Sequence, residues 1–413
     1  MNQAIKLPDP WNMPLEQIDV SDSRLYAQDA WRPYFARLRE EAPVHFQPES
    51  QFGPFWSITR FDDIVAVDSN PADFSSEPTI VIGDLGEDIP FEMFIAMDGE
   101  KHDVQRRAVQ PVVAPQNLAQ LEGLIRSRVV EILDNLPVGE TFDWVENVSI
   151  NLTTQMLATL FNFPFEERSK LTYWSDIAAG TPELTGASYS REERVAGLTD
   201  CLETFTRIWH ERKGREEGFD LISLLQRDPH TADMVDRPME FLGNLCLLIV
   251  GGNDTTRNSA TGGVLALNRY PGEYDKLRAD PGLIPSMVSE IIRWQTPLAH
   301  MRRTATRDLE FQGQQIKKGD KVVMWYISGN RDDTVIDDPE TFVIDRPNVR
   351  KHVSFGFGVH RCMGNRLGEM QLRILWEEIM QRFSFVEVVD EPGRVESNFV
   401  HGYTKLPVRL HAL

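Results

Sequence analysis

The chain has 413 residues, 41% of them hydrophobic and 26% charged, with a formal net charge of −20. That is enough apolar material for a large core, and length alone suggests two or three domains. So acidic a chain is a poor partner for phosphate backbones or anionic membranes, which sets nucleic-acid and membrane-surface binding aside. The three cysteines, Cys201, Cys246 and Cys362, are far apart in sequence and too few for a disulfide framework. A reducing, cytoplasmic setting is therefore expected. Met1 to Ser21 is polar and proline-rich, with no apolar run of the signal-peptide kind. The densest apolar stretch, Leu245 to Val250, falls far short of the roughly 20 residues that span a bilayer, so no membrane anchor is expected.

In chain order, residues 1–25 read as an N-terminal extension. Trp31 to Glu41 is helical in pattern, and Pro54-Phe55-Trp56-Ser57-Ile58-Thr59-Arg60 reads as a strand. From Gln116 onward helical periodicity dominates, as in Leu118, Leu121, Leu124 and Ile125. Residues 178–197, with their Gly, Pro, Ser and Thr, are expected to form a lid between helices. A long helix is predicted from about Pro238 to about Asn268, with Asp236 and Pro238 as start signals and Pro271 as the stop. At 1.5 Å per residue it would run roughly 45 Å, and its apolar middle should be buried. Within it, Gly251-Gly252-Asn253-Asp254-Thr255-Thr256 are poor helix formers, which predicts a locally opened helix with a groove. Glu290 and Arg293 share a helical face, a pairing worth under about 1 kcal/mol if it lies at the surface. Strands are expected within Asp308 to Val323, with a turn at Gly313, and again from Phe383 to Leu413. No repeat or low-complexity tract divides the chain.

The segment Phe355-Gly356-Phe357-Gly358-Val359-His360-Arg361-Cys362-Met363-Gly364 carries the strongest chemical signal. Three glycines near one cysteine imply a tight backbone that lets something large approach the sulfur. A helix follows, with Leu367, Met370, Ile374 and Leu375 as its inward stripe, and its N-terminal dipole should favour a thiolate. The plainer reading is a buried structural cysteine beside a glycine turn. A dinucleotide-binding loop fails because Arg361 occupies the third glycine position.

This segment resembles the haem-binding loop of the cytochrome P450 family, F-x-x-G-x-x-x-C-x-G, which Phe355, Gly358, Cys362 and Gly364 fill completely. Upstream motifs follow in order. The resemblance implies haem b bound through Cys362, with Phe355 and Gly356 in its loop, and a thiolate that promotes O–O cleavage. It places Glu290 and Arg293, joined by Arg346 in Phe342-Val343-Ile344-Asp345-Arg346-Pro347, in a buried structural network needed for haem incorporation. Gly251 to Thr256 resembles the family's [AG]-G-x-[DE]-T-[TS] signature, which implies that Asp254 and Thr255 relay protons, with Thr256 a weaker neighbour. His102 and Arg106, in H-x-x-x-R spacing, and Arg303 and His360 match ligands of the haem propionates. The motifs run from about residue 98 to 364, which overrules the size argument. The expectation is one mostly helical domain with small sheets over residues 1–413, the haem lying between the long helix and the cysteine-loop helix.

The reaction implied is RH + O2 + 2 electrons + 2 protons giving ROH + water. The apolar pocket for RH is expected from Leu247, Val250 and Gly251 on the long helix and from Leu298, Ala299 and Met301. Ile82 and Leu85, within a segment running from Ile80 through Ile89 to Phe94, are expected to close it, with Val400 nearby. Gly251 to Leu267, Met301 to Asp308 and Ser328 to Asp332 look most like the bacterial alkane-hydroxylase branch. That likeness implies terminal (omega) hydroxylation of medium-chain alkanes or fatty acids. A compact terpenoid or other cyclic hydrocarbon is the alternative substrate. A peroxide-driven peroxygenase would lack the Asp254–Thr255 pair, and a non-enzymatic haem sensor would have lost it too. No flavin or nicotinamide motif is present, so electrons from NAD(P)H are expected through an external iron–sulfur ferredoxin and its reductase. Arg350, Lys351, Arg361, Arg366 and Arg373 form a basic stretch suited to an acidic ferredoxin, or else serve only to neutralise propionates and helix ends. A monomer is the family default.

Overall fold

The computed structural model describes residues 7–84, 91–179, 189–214 and 218–413. Its helices are α1 (Ser23–Ala27), α2 (Trp31–Glu41), α3 (Phe61–Asp68), α4 (Gly99–Val109), α5 (Pro115–Asp134), α6 (Asn151–Leu160) and α7 (Ser169–Ala179). They continue as α8 (Arg191–Arg212), α9 (Leu221–Arg227), α10 (Pro238–Arg269), α11 (Pro271–Ala279), α12 (Ile284–Gln295), α13 (Tyr326–Gly329) and α14 (Asn365–Arg382). The strands are β1 (Val44–Gln47), β2 (Phe55–Ile58), β3 (Phe74–Ser75), β4 (Thr141–Asp143), β5 (Met301–Ala305) and β6 (Leu309–Phe311). The rest are β7 (Gln314–Ile316), β8 (Lys321–Met324), β9 (Phe383–Val388), β10 (Gly393–Arg394), β11 (Tyr403–Lys405) and β12 (Pro407–Ala412).

Helix α10 is the axis of the molecule. Its 32 residues give a length of about 48 Å. Pro238 occupies its first turn, where a missing N–H costs nothing, and Pro271 begins α11 just beyond its end. Asp236 does not cap it; that residue closes a separate 3-10 turn, Met234–Asp236. Helices α6, α7, α12 and α14 pack around α10, so it is buried on several faces, as its apolar middle requires.

The expected opening of this helix is absent: it is α-helical without interruption through Gly251 and Thr256. The polar side chains bond back onto carbonyls one turn earlier instead. Thr255 Oγ1 donates to Gly251 O at 3.0 Å, Asn258 Nδ2 to Asp254 O at 2.8 Å, and Ser259 Oγ to Thr255 O at 2.8 Å. The glycines act through the space they leave. A Cβ on Gly252 would meet Leu157 Cδ2 at 2.7 Å, whereas one on Gly251 would meet nothing within 4 Å.

Beside the helices lies a five-stranded sheet ordered β1-β2-β8-β5-β3, with only the β2–β8 pair parallel. The β6–β7 hairpin turns on Gln312 and Gly313, both at positive φ, and β9, β12 and β4 pair antiparallel near the C-terminus. Residues 7–25 are no loose extension. Ile18, Val20 and Leu25 are buried in one cluster with Phe35 and Trp325, and Ser21 O accepts a 2.7 Å hydrogen bond from Asn398 Nδ2. The molecule is one mostly helical domain with small sheets, as expected. Among the described residues, no helix is long and apolar enough to cross a membrane.

Candidate active site

The loop from Phe355 to Gly364 is held by a hydrogen bond from Cys362 N to Phe355 O at 2.8 Å, and α14 begins at Asn365. Its glycines do not all serve the sulfur. Gly356 and Gly358 have φ of +62° and +64°, and a Cβ on either would run into Asp68 at the end of α3. Only Gly364 faces open space. Burial pushes the Cys362 thiol above its ordinary value, against the N–H groups of Gly364 and Asn365 and the charges of Arg106 and Arg361. A bound metal cation would complete the deprotonation. Among the described residues no cluster of three or more His, Cys, Asp or Glu could hold a metal ion.

The sulfur opens into a cavity of about 1160 Å³. Pockets that hold one drug-sized molecule are about 300–1,000 Å³, so this one has room for a macrocycle and a substrate together. Leu247, Val250, Gly251, Leu298 and Met301 line it as expected, and so do Thr255 and Thr256. Three expected wall residues are core residues instead. Ile82 and Ala299, both fully buried, pack with Phe52 and Trp325, while Val400 packs with Ile80 and Ala96 behind the wall. Ile80, Val81 and Phe399 take the wall positions beside them. Leu85, like Ile89 and residues 180–188 of the expected lid, lies outside the described residues. Met93, Leu160 and Leu248 also line the cavity. Sequence reasoning misses them because an apolar residue facing a cavity is indistinguishable there from one facing the core.

The polar groups cluster on the cysteine side. Arg106 and Arg303 line the cavity; Arg106 Nη2 donates to Arg361 O at 2.5 Å and Arg303 Nη2 to Asp68 Oδ1 at 2.6 Å. His360 lines it too, and the His102 ring packs behind, with centroids 4.2 Å apart. His102 Nδ1 lies 2.8 Å from Asp103 Oδ1, but its buried Nε2 has no hydrogen-bond partner among the described residues. Neither ring nitrogen of His360 has one; Asp98 Oδ1, at 3.9 Å, is too far. Buried polar atoms are normally paired. A sulfur, two arginines and three unpartnered imidazole nitrogens fit a flat ligand with a metal centre and two carboxylates.

Asp254 is buried 2.5 Å from Arg257 Nη2, with Asn253 Nδ2 and Ser175 Oγ each at 3.4 Å. It does not line the cavity, and no hydrogen bond joins it to Thr255 among the described residues. The expected acid and alcohol are thus adjacent on α10 but face different sides. Glu290, Arg293 and Arg346 do meet. Arg293 makes a two-pronged pair with Glu290 at 2.7 and 2.8 Å, both side chains fully buried, and Arg346 Nε reaches the same carboxylate at 3.2 Å. Arg293 also donates to Asn330 O at 2.8 Å. Asn330 in turn holds Val353 N and Ser354 Oγ at the entrance of the cysteine loop, each at 2.8 Å. This network fastens the loop to α12.

A profile of the family described as Cytochrome P450 matches residues 282–409, the stretch that contains both this network and Cys362. The chain is also 35% identical to Linalool 8-monooxygenase of Pseudomonas putida, over 96% of this chain and 99% of that protein. The chain is a cytochrome P450. It is 32% identical to the Methyl-branched lipid omega-hydroxylase of Mycobacterium bovis, over 96% of each. Among solved structures, Cytochrome P450-153 from Novosphingobium aromaticivorans superposes with a TM-score of 0.89 at 47% identity, over 95% of this chain and 99% of that one. This cytochrome P450 is accordingly a monooxygenase, and membership implies a haem–thiolate centre.

Proposed function

We propose that this P450 hydroxylates the terminal carbon of medium-chain alkanes or fatty acids, with Cys362 as the sulfur ligand of haem b. The observation that carries the substrate reading is how the cavity divides. Its cysteine side holds Arg106, Arg303 and His360, whereas its walls are apolar, from Leu247, Leu248 and Val250 to Leu298, Met301 and Phe399. Asp84 and Arg191 are exposed at its outer side, and the polar lining residues Thr79, Thr256, Ser259 and Gln371 are buried. Such walls bind a hydrocarbon chain and exclude water. The 47% identity to Cytochrome P450-153 and the omega-hydroxylase relative support the same reading.

Bound haem supplies the dioxygen chemistry that puts one oxygen atom into a C–H bond. Arg106, Arg303, His102 and His360 would hold its carboxylates. Thr255 and Thr256 line the cavity, and Asp254, behind them, moves protons from the Arg257 side of α10. That acid–alcohol sequence favours oxygen-driven turnover over peroxide-driven turnover. Electrons arrive from a ferredoxin at the cysteine face, where Arg350, Lys351, Arg361 and Arg366 are exposed. Arg373 is not part of that surface, since it is paired with Glu122 and Glu377 at 2.7 Å each. A second reading, hydroxylation of a compact terpenoid, is favoured by the linalool relative. Turnover with a surrogate ferredoxin and reductase separates the two. Octane should give mainly 1-octanol; oxidation of linalool alone, or octane attack mainly at inner carbons, would overturn the terminal-hydroxylase reading.

A further inference from the structure

One buried acid outside the groups assigned above joins β5, the start of α13 and the cysteine loop. Asp68 is the last residue of α3 and is 2% exposed. Its Oδ1 accepts from Arg303 Nη2 at 2.6 Å, and its Oδ2 accepts from the Tyr326 hydroxyl at 2.8 Å and from Phe357 N at 2.7 Å. These donors come from β5, from the start of α13 and from the loop itself. The loop glycines are shaped by the same residue. A Cβ on Gly356 would lie 3.0 Å from both Asp68 Oδ2 and the Tyr326 hydroxyl oxygen, and one on Gly358 would lie 2.6 Å from Asp68 O. The loop is folded around the end of α3.

A guanidinium carries five N–H groups. Arg303 uses one on Asp68 and one on Arg302 O at 2.9 Å, and the side chain lines the cavity. An anionic ligand there would therefore share Arg303 with Asp68, in surroundings where water screens neither charge well. Tyr326 remains a donor in this cluster, because burial, and then Asp68 itself, push its hydroxyl well above the ordinary value.

We infer that Asp68 is a positioning residue for the haem. It aims Arg303 at a haem carboxylate, pins the cysteine loop through Phe357 N, and sets a compensating negative charge beside the prosthetic group. The inference rests on haem binding and not on the choice of substrate. Asp68→Asn keeps the side-chain volume and removes the charge. In the haem-loaded protein it is expected to raise the ferric/ferrous midpoint potential, because loss of a nearby anion favours the reduced form. A tenfold shift in that one-electron equilibrium corresponds to about 59 mV. Adding Arg303→Gln should bring the potential back toward the starting value, since the two charges then leave together. A residue that only packs would change stability or haem retention with the potential unmoved, and an unmoved potential overturns the inference. If Asp68→Asn takes up no haem, Tyr326→Phe asks the same question. It keeps the charge, removes one of its three donors and is expected to lower the potential; no shift there overturns the inference as well.

Discussion

Replacing Glu290 by Gln tests the network that fastens the cysteine loop. The Glu290 carboxylate receives Arg293 Nε and Nη2 at 2.8 and 2.7 Å, Arg346 Nε at 3.2 and 3.3 Å, and Val343 N at 2.9 Å. Gln keeps the shape but leaves two buried guanidinium groups without a counter-charge and turns an NH2 toward one of them. Breaking a buried pair from one side costs about 3–5 kcal/mol, whereas an exposed helical pair such as Arg207–Glu211 is worth about 0.3–0.5 kcal/mol. Urea unfolding followed by tryptophan fluorescence should therefore show a large drop in midpoint at constant slope for Glu290→Gln. Glu211→Gln should be nearly silent. A loss below about 1 kcal/mol for Glu290→Gln would refute the reasoning, because it would mean that the two arginines are satisfied by backbone carbonyls alone.

Three further outcomes follow from the same geometry. Asp254→Asn should slow oxygen-driven turnover about 10²-fold or more while haem content and carbon monoxide difference spectrum stay intact, and an unchanged rate would remove Asp254 from proton delivery. Charge reversal at Arg361 or Arg366 should raise the KM for an acidic ferredoxin and flatten its salt dependence, whereas unchanged ferredoxin-supported turnover would move the docking surface elsewhere. Burial lowers His300 and His401 to about 4 and His352 to about 3, so all three stay neutral in the folded protein when the unfolded chain has begun to protonate. Between about pH 6.5 and 4 the unfolded state thus binds more protons, and stability falls on acidification by up to about 1.4 kcal/mol per pH unit for each histidine. Burial raises Asp19, Asp63, Asp176 and Glu369, which work in the opposite direction, so the test is a difference. Stability of His300→Gln should depend less steeply on pH than that of the parent, and equal slopes would contradict the assignment.

Motifs that combine a fixed spacing with a special backbone requirement are legible in the sequence. The cysteine loop, the Glu290–Arg293 face and the turn at Gly313 are of this kind, and each lies where the sequence puts it. Long-range pairings are not legible there. Nothing around Asp68 announces that Arg303, Tyr326 and Phe357 converge on it, because the separations exceed 230 residues. For the same reason Gly356 and Gly358 read as room for the sulfur's ligand when their conformation answers to α3. The glycines and threonines of α10 read as a break because intrinsic propensity disfavours them. Packing on four neighbouring helices outweighs that disadvantage, and the side-chain bonds to carbonyls one turn earlier satisfy the hydroxyls. Ile82, Ala299 and Val400 read as pocket residues because a segment's place in the chain is readable and the direction of each side chain is not.

The proposed site is an apolar channel that ends at a haem held by Cys362. The most direct test is an optical titration of the purified ferric protein with linear alkanes, matching fatty acids and a cyclic terpene. A saturable move of the Soret band from low toward high spin, with affinity that depends on the length of the linear chain, is the predicted result. A shift produced by the cyclic compound alone would contradict the channel while leaving the haem-thiolate assignment in place.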